Sequence, residues 1–307
     1  MQKAYIPKKP LNSAVLFLVF NRLDTTKQVF ASIRQAKPPR LYIASDGPRK
    51  NVSDEIKNVE QVRSYILENI DWQCEVKTLF RDKNLGCKYA VSSSIGWFFE
   101  NEEQGIILED DCLPSNSFFW FCDDLLEKYK DNLKIGQICG CNFQRGISRG
   151  DADYYFSVYG LIWGWASWRN RWENYDVELT NLGNSDFLNH TFDNQKTIRY
   201  WKEIFKSMKK KLIDTWDYQW TLQLFKQNQL NIIPNVNLVK NIGFGENATH
   251  TVYENEFSNI DNFEIDLSKH PQDISPDKEA DNFLSKIMFN KKPIHIRLTN
   301  KIRKLFL

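Results

Sequence analysis

The chain has 307 residues, 42% hydrophobic content and a formal net charge of +2. That length supports a sizeable core in one large domain or two small ones, and the near-neutral charge gives no electrostatic case for a nucleic-acid partner. Six cysteines occur without a C-x-x-C pair, which argues against a zinc site and reads as reduced thiols in a cytosolic protein.

The first apolar run is Ala14 to Phe20. It is far short of the roughly 20 residues that cross a bilayer, and it lacks a small-residue cleavage site. A fully buried strand is expected there, not an anchor or an export signal. Thr25 and Gln28 have capping-box spacing, which predicts a helix to about residue 35, stopped by Pro38-Pro39. Leu41 to Ser45 is a second strand, closing on the turn signal Asp46-Gly47-Pro48. Ser53 is expected to cap a helix with Ile56, Val59, Ile66 and Ile70 on one face. Glu75 to Phe80 is a third strand. Asn84-Leu85-Gly86 leads into a helix over 87–100. Gly105 to Leu108 is a fourth strand, a helix follows Ser115-Asn116-Ser117, and Ile135 to Cys139 is a fifth strand.

Strands alternating with helical patterns predict βαβ units: an α/β fold with a mostly parallel central sheet flanked by helices. In such sheets ligands bind beyond the carboxyl ends of the strands. That rule selects Asn21-Arg22, Asp46-Gly47 and Glu109-Asp110-Asp111. The second half reads as a Trp-rich segment at 163–172, a basic helix at 197–212, an aromatic helix at 216–228 and a strand at 230–240. With no linker between the halves, it is expected to pack on the same sheet. Trp165, Trp168 and Trp172 have i, i+3, i+7 spacing. They read first as the core stripe of a helix and second as a sugar platform.

The acids at 109–111 follow a wholly apolar strand directly. Adjacent carboxylates repel, and their burial is costly without a cation. Mg²⁺ or Mn²⁺, which prefer oxygen ligands and bind beside phosphates, would remove that cost. An exposed acidic turn ahead of a helix is the competing reading.

This segment, with Cys112-Leu113-Pro114-Ser115 and Phe118-Phe119, resembles the metal-binding segment of GT-A fold glycosyltransferases, and most of all that of N-acetylglucosaminyltransferase I. Phe20-Asn21-Arg22, Ser45-Asp46-Gly47, the stretch from Asn84 to Ala90, Gly160 to Trp165 and Trp216-Asp217-Tyr218-Gln219-Trp220 resemble further stretches of that family in the same order. The likeness covers about residues 14–250. The first-strand motif departs from it, with Asn-Arg in place of Asp-Arg.

The resemblance implies a metal-dependent, inverting enzyme. Its donor would be a nucleotide-diphospho-sugar, UDP-linked; the acceptor, which the resemblance does not fix, is expected to be a glycan or a lipid-linked saccharide. It implies Asp111 as the metal ligand, with Glu109 and Asp110 supporting it or touching ribose and sugar. Arg22 and Asp46 would lie in the nucleotide site. Trp163 and Gly164 belong to the family's glycine-tryptophan segment at the donor. Asp217 would be the base, with Asp214 as its near competitor. Asn142, just after a strand, is either a donor-sugar contact or an ordinary turn residue. Gly243 to His250 is a loop expected to close over the donor, with His250 either at the phosphate or merely solvated.

The expected organisation is a GT-A-like domain over 1–289, with a nucleotide-sugar half at about 14–140 and an acceptor side at about 141–260. The last 18 residues, 290–307, hold six Lys or Arg and no acid. They read as a basic amphipathic tail, either peripheral on an anionic membrane surface or else solvated or partner-bound. Two rivals remain at this stage. A sugar-nucleotide-forming nucleotidyltransferase would need a Gly-rich basic loop after the first strand. A non-catalytic carbohydrate-binding protein would use the Trp cluster.

Overall fold

The computed structural model describes residues 5–244, 257 and 260–289. The expected tail at 290–307 and His250 lie outside them. The elements of the first half are β1 (Ala14–Val19), α1 (Leu23–Ala36), β2 (Arg40–Ser45), α2 (Glu55–Glu68), β3 (Glu75–Phe80), α3 (Gly86–Asn101), β4 (Gln104–Glu109), β5 (Cys112–Pro114), α4 (Ser117–Tyr129) and β6 (Ile135–Cys139). The second half adds β7 (Tyr154–Ser157), β8 (Trp165–Trp168), the single turns α5 (Arg169–Trp172) and α6 (Leu188–Thr191), α7 (Gln195–Lys209), α8 (Asp217–Lys226), β9 (Leu230–Pro234), β10 (Val239–Asn241) and α9 (Lys278–Leu284).

Eight strands form one sheet in the order β3-β2-β1-β4-β8-β6-β9-β7. Strands β3, β2, β1, β4, β6 and β9 point one way, while β8 and β7 run against them. This is the α/β class expected from the sequence, a mostly parallel central sheet flanked by helices. All six residues of β1 are buried, as a strand covered on both faces requires. The second half extends the sheet.

Several local expectations are corrected. Thr25 does not cap α1; its hydroxyl and that of Thr26 turn to the Arg22 carbonyl. The cap position of α2 is Asp54, in the left-handed region at φ 59°, not Ser53. Ile56 is 61% exposed, and Val59, Val62 and Ile66 form the inner face. The Trp segment is not a helical stripe. Trp165 and Trp168 lie on strand β8, where a three-residue step places them on opposite faces. Trp165 joins the α3 side of the core, and Trp168 joins the α4 side. Both are core residues, so that part of the expectation holds, but Trp165, Trp168 and Trp172 are too buried to be a sugar platform.

One long tie crosses the molecule. Glu264 accepts the backbone N–H groups of Asn116 and Ser117 at 3.1 and 2.7 Å, capping α4 from about 150 residues away. Asp153 similarly accepts from the backbones of Ser268 and Lys269. The stretch 260–276 is thereby strapped from the start of α4 to β7, ending where Phe156 bridges to Pro276.

Candidate active site at the strand ends

Register fixes the geometry. Strands β1 and β4 are parallel, with Leu18 opposite Glu109, and β1 and β2 are parallel, with Val19 opposite Ser45. Phe20, Asp46 and the acids at 109–111 therefore share one edge of the sheet. Arg22 stands at the start of α1 and binds both neighbouring aspartates: its guanidinium donates to Asp110 Oδ1 and, at 2.8 Å, to Asp111 Oδ2. The Phe20 N–H donates to Asp110 Oδ2 at 3.3 Å. Burial works against the Arg22 charge, but Asp110 and Asp111 outweigh it and hold the guanidinium protonated.

The acids are undercompensated. Burial, then the charges of Asp111, Asp110 and Asp217, push Glu109 up to about 8. Burial pushes Asp110 up to about 6, even against the pull of Arg22. Asp217, more than 100 residues further on, therefore lies within electrostatic reach of the triplet. It is the first residue of α8, partly exposed, and accepts a hydrogen bond from the Thr215 hydroxyl. Beside it the Cys87 thiol, pushed up by burial and then by Glu109, Asp217, Asp214 and Asp46, sits among all four acids.

Does this set suit a divalent cation? The donors are right in kind: carboxylate oxygens, with more negative charge than Arg22 cancels. They are incomplete in number, since among the described residues no three His, Cys, Asp or Glu side chains converge as a ready-made ligand set. One or two carboxylates completed by substrate phosphates is how Mg²⁺ is usually held. Asp111 is the more accessible aspartate, its side chain 17% exposed against 6% for Asp110. Its neighbourhood is shaped by β10, which pairs antiparallel with β5. The Ile242 N–H donates to the Asp111 carbonyl at 2.8 Å. A Cβ on Gly243 would stand 2.1 Å from Asp111 Oδ2, so the backbone passes over that carboxylate only because residue 243 is glycine.

Other expected site residues turn inward. Asp46 accepts the N–H groups of Gly47, Leu85 and Gly86 at 2.9 to 3.1 Å. It is thus the anchor of the α3 N-terminus. Burial still raises it, against those hydrogen bonds. Asn142 is consumed by the scaffold: its Nδ2 donates to the Pro234 carbonyl at 2.6 Å and its Oδ1 accepts the Gln144 N–H at 2.7 Å. This is the turn role, not a free sugar contact. Gly164 has φ +63°, and a Cβ there would meet Val239 at 2.8 Å; its place is set by packing. Trp163 is partly exposed and meets Phe143 and Phe244 edge-on at 5.0 and 5.7 Å.

Three features escape a linear reading. Thr215 is one, though a hydroxyl two residues ahead of a helix-start acid is a recognisable local signal. Gly243 is another, because its partner Asp111 is distant in sequence. The third is the brace on the loop after β2. Glu55, 1% exposed, accepts from Asn21 Nδ2 at 2.9 Å and from the Arg49 backbone at 2.6 Å.

No protein-family model matches the chain and no curated protein matches it in sequence, so the likeness to N-acetylglucosaminyltransferase I rests on motifs alone. Among solved structures, S. aureus TarS 1–349 is similar at 8% identity and a TM-score of 0.41, over 75% of this chain and 60% of that one. HddC from Yersinia pseudotuberculosis is similar at 8% identity and a TM-score of 0.31, over 52% of this chain and 77% of HddC. Its complex with GMP-PN gives the same identity and score over 53% and 80%. The chain thus spans about three-fifths of the TarS fragment.

Proposed function

We propose that the chain is a metal-dependent, inverting glycosyltransferase. It moves a sugar from a nucleotide-diphospho-sugar, UDP-linked, to a hydroxyl of a glycan or lipid-linked saccharide, as the motif order shared with N-acetylglucosaminyltransferase I suggests. The observation that supports this most is the meeting of Glu109-Asp110-Asp111 with Asp217 at the carboxyl edge of the sheet, where Glu109 feels the charge of Asp217. A carbohydrate-binding protein built on the Trp cluster is disfavoured, because Trp165, Trp168, Trp172, Trp216 and Trp220 are all buried.

In this mechanism Asp217 takes the proton of the acceptor hydroxyl. The acceptor oxygen bonds to the anomeric carbon from the face opposite the diphosphate. The bond from that carbon to the diphosphate oxygen breaks, and its electron pair leaves with the nucleotide. Asp111, supported by Asp110 and Glu109, would hold Mn²⁺ or Mg²⁺, which supplies positive charge to the leaving diphosphate. Arg22 keeps Asp110 and Asp111 in register. The buried aromatic layer of Trp165, Trp216 and Trp220, with ring centroids 5.8 to 5.9 Å apart, fixes the start of α8 and hence the base.

A thermal-shift screen of UDP-sugars with Mn²⁺ or Mg²⁺ tests the proposal. A ligand at about 100 times its Kd stabilises by roughly 2.7 kcal/mol, so a metal-dependent rise in Tm is expected. No rise with any UDP-sugar in either metal would overturn it.

A further inference from the structure

We propose that Thr215 is a positioning residue for Asp217, fixing which carboxylate oxygen receives the acceptor proton; this rests on the reading of Asp217 as the base. An aspartate in the first turn of a helix commonly folds back onto the free N–H groups there. Asp217 does not. Helix α8 has no side-chain cap, and the one hydrogen bond to the Asp217 carboxylate among the described residues comes from the Thr215 hydroxyl to Oδ1. Oδ2 is left for the substrate.

The donor itself is held fast. Gln219, 1% exposed, donates its Nε2 to the Thr215 carbonyl at 2.7 Å and to the Val177 carbonyl at 3.3 Å. The Tyr175 hydroxyl donates to the next carbonyl, that of Trp216, at 3.0 Å. Tyr175 in turn stacks on Trp172 at 4.2 Å with the rings 9° apart, and Trp216 stacks on Trp165. The backbone of residues 215 and 216 is therefore pinned on both carbonyls, while the partly exposed Asp217 carboxylate has a single hydrogen-bond partner among the described residues. A carboxylate free to rotate presents its open oxygen only part of the time. One fixed hydroxyl removes that freedom, and proton transfer rewards such fixed geometry.

The experiment uses the full chain with Mn²⁺ and follows UDP release to water. Its probe is whichever of UDP-glucose, UDP-galactose and UDP-N-acetylglucosamine the unaltered protein hydrolyses fastest. Thr215→Val keeps the shape and removes the donor; Thr215→Ser keeps the donor. The expected result for Thr215→Val is a fall in kcat of about tenfold or more, within the range of general-base catalysis, with KM for the donor within about twofold. Thr215→Ser should recover kcat to within about threefold. A valine variant with unchanged kcat, or a serine variant as slow as the valine one, overturns the proposal. Asp217→Asn is run beside them. If it turns over normally, Asp217 is not the base, and that failure is distinct from a failure of Thr215 alone.

Discussion

The ends of β2 and β4 lie on the same edge of the sheet, and both finish in acid, but they are built in opposite ways. At the end of β2, three backbone N–H groups converge on Asp46. At the end of β4, Glu109 receives no hydrogen bond from any described residue and stands among three other carboxylates that outweigh the opposing charge of Arg22. Two of the three Asp46 donors belong to the start of α3, so that carboxylate is a structural joint. The excess charge around Glu109 is an unfavourable arrangement for the protein alone, and a cation bound there would offset it. A strand-end position marks both residues equally. The supply of donors separates them.

Mutations at the two ends should behave accordingly. The largest effect is expected away from both, at the proposed base: Asp217→Asn should lower transfer by about 10²- to 10⁴-fold while nucleotide binding, read by thermal shift, persists. Next, Asp111→Asn should abolish the metal-dependent part of that thermal shift and leave the fold intact by circular dichroism. At the β2 end, Asp46→Ala should act on stability. Stranding buried N–H groups costs about 1–3 kcal/mol, seen as a lower denaturant midpoint, with donor affinity changed less than for Asp111→Asn. If Asp46→Ala instead kept its stability and lost donor binding, the contrast between the ends would collapse. At the β4 end, Glu109→Gln should raise the Tm of the metal-free protein by a few degrees, the opposite sign to Asp46→Ala.

The smallest effect lies at Asp281, in α9. Burial pushes this carboxyl up to about 7, against hydrogen bonds from Ser157 and the Val158 N–H. A raised acid holds its proton in the folded chain after the unfolded chain has lost it, so stability falls as pH rises from about 4 to about 7. Asp281→Asn should flatten that slope, measured as urea midpoints at pH 5 and pH 8.

Much of the first half was legible because its strands are bounded by turns and its apolar runs are short. Glu75–Phe80 and Ile135–Cys139 fall where the pattern places them. The second half was harder. The run from Trp163 to Trp172 has a helical spacing of indoles, yet Trp165 pairs with Ile107 and Cys139 as a strand; a short apolar run buried on both faces has no period of its own. Strands β5 and β10 have three residues each and exist only through each other. In the site, the triplet, Arg22 and Asp217 were visible by residue type and position. The inward role of Asp46 was not, because two of its three donors lie 39 and 40 residues away; for Asn142 the turn reading was open, but its ties to Pro234 and Asn237, 92 and 95 residues away, were not. Arg171 is a similar case: it is buried, forms no ion pair among the described residues, and donates to the carbonyls of Tyr129, Lys130, Asn132 and Ile135, a set that no local pattern announces.

The most direct measurement is UDP release from UDP-sugars by the full chain, with Mn²⁺ and with EDTA, for the unaltered protein and for Asp217→Asn. Release that needs the metal and is lost in Asp217→Asn, while that variant still binds the nucleotide, is the expected result. Release that is indifferent to metal, or equal in the two proteins, would contradict the assignment of the strand-end acids and Asp217 to one transfer site.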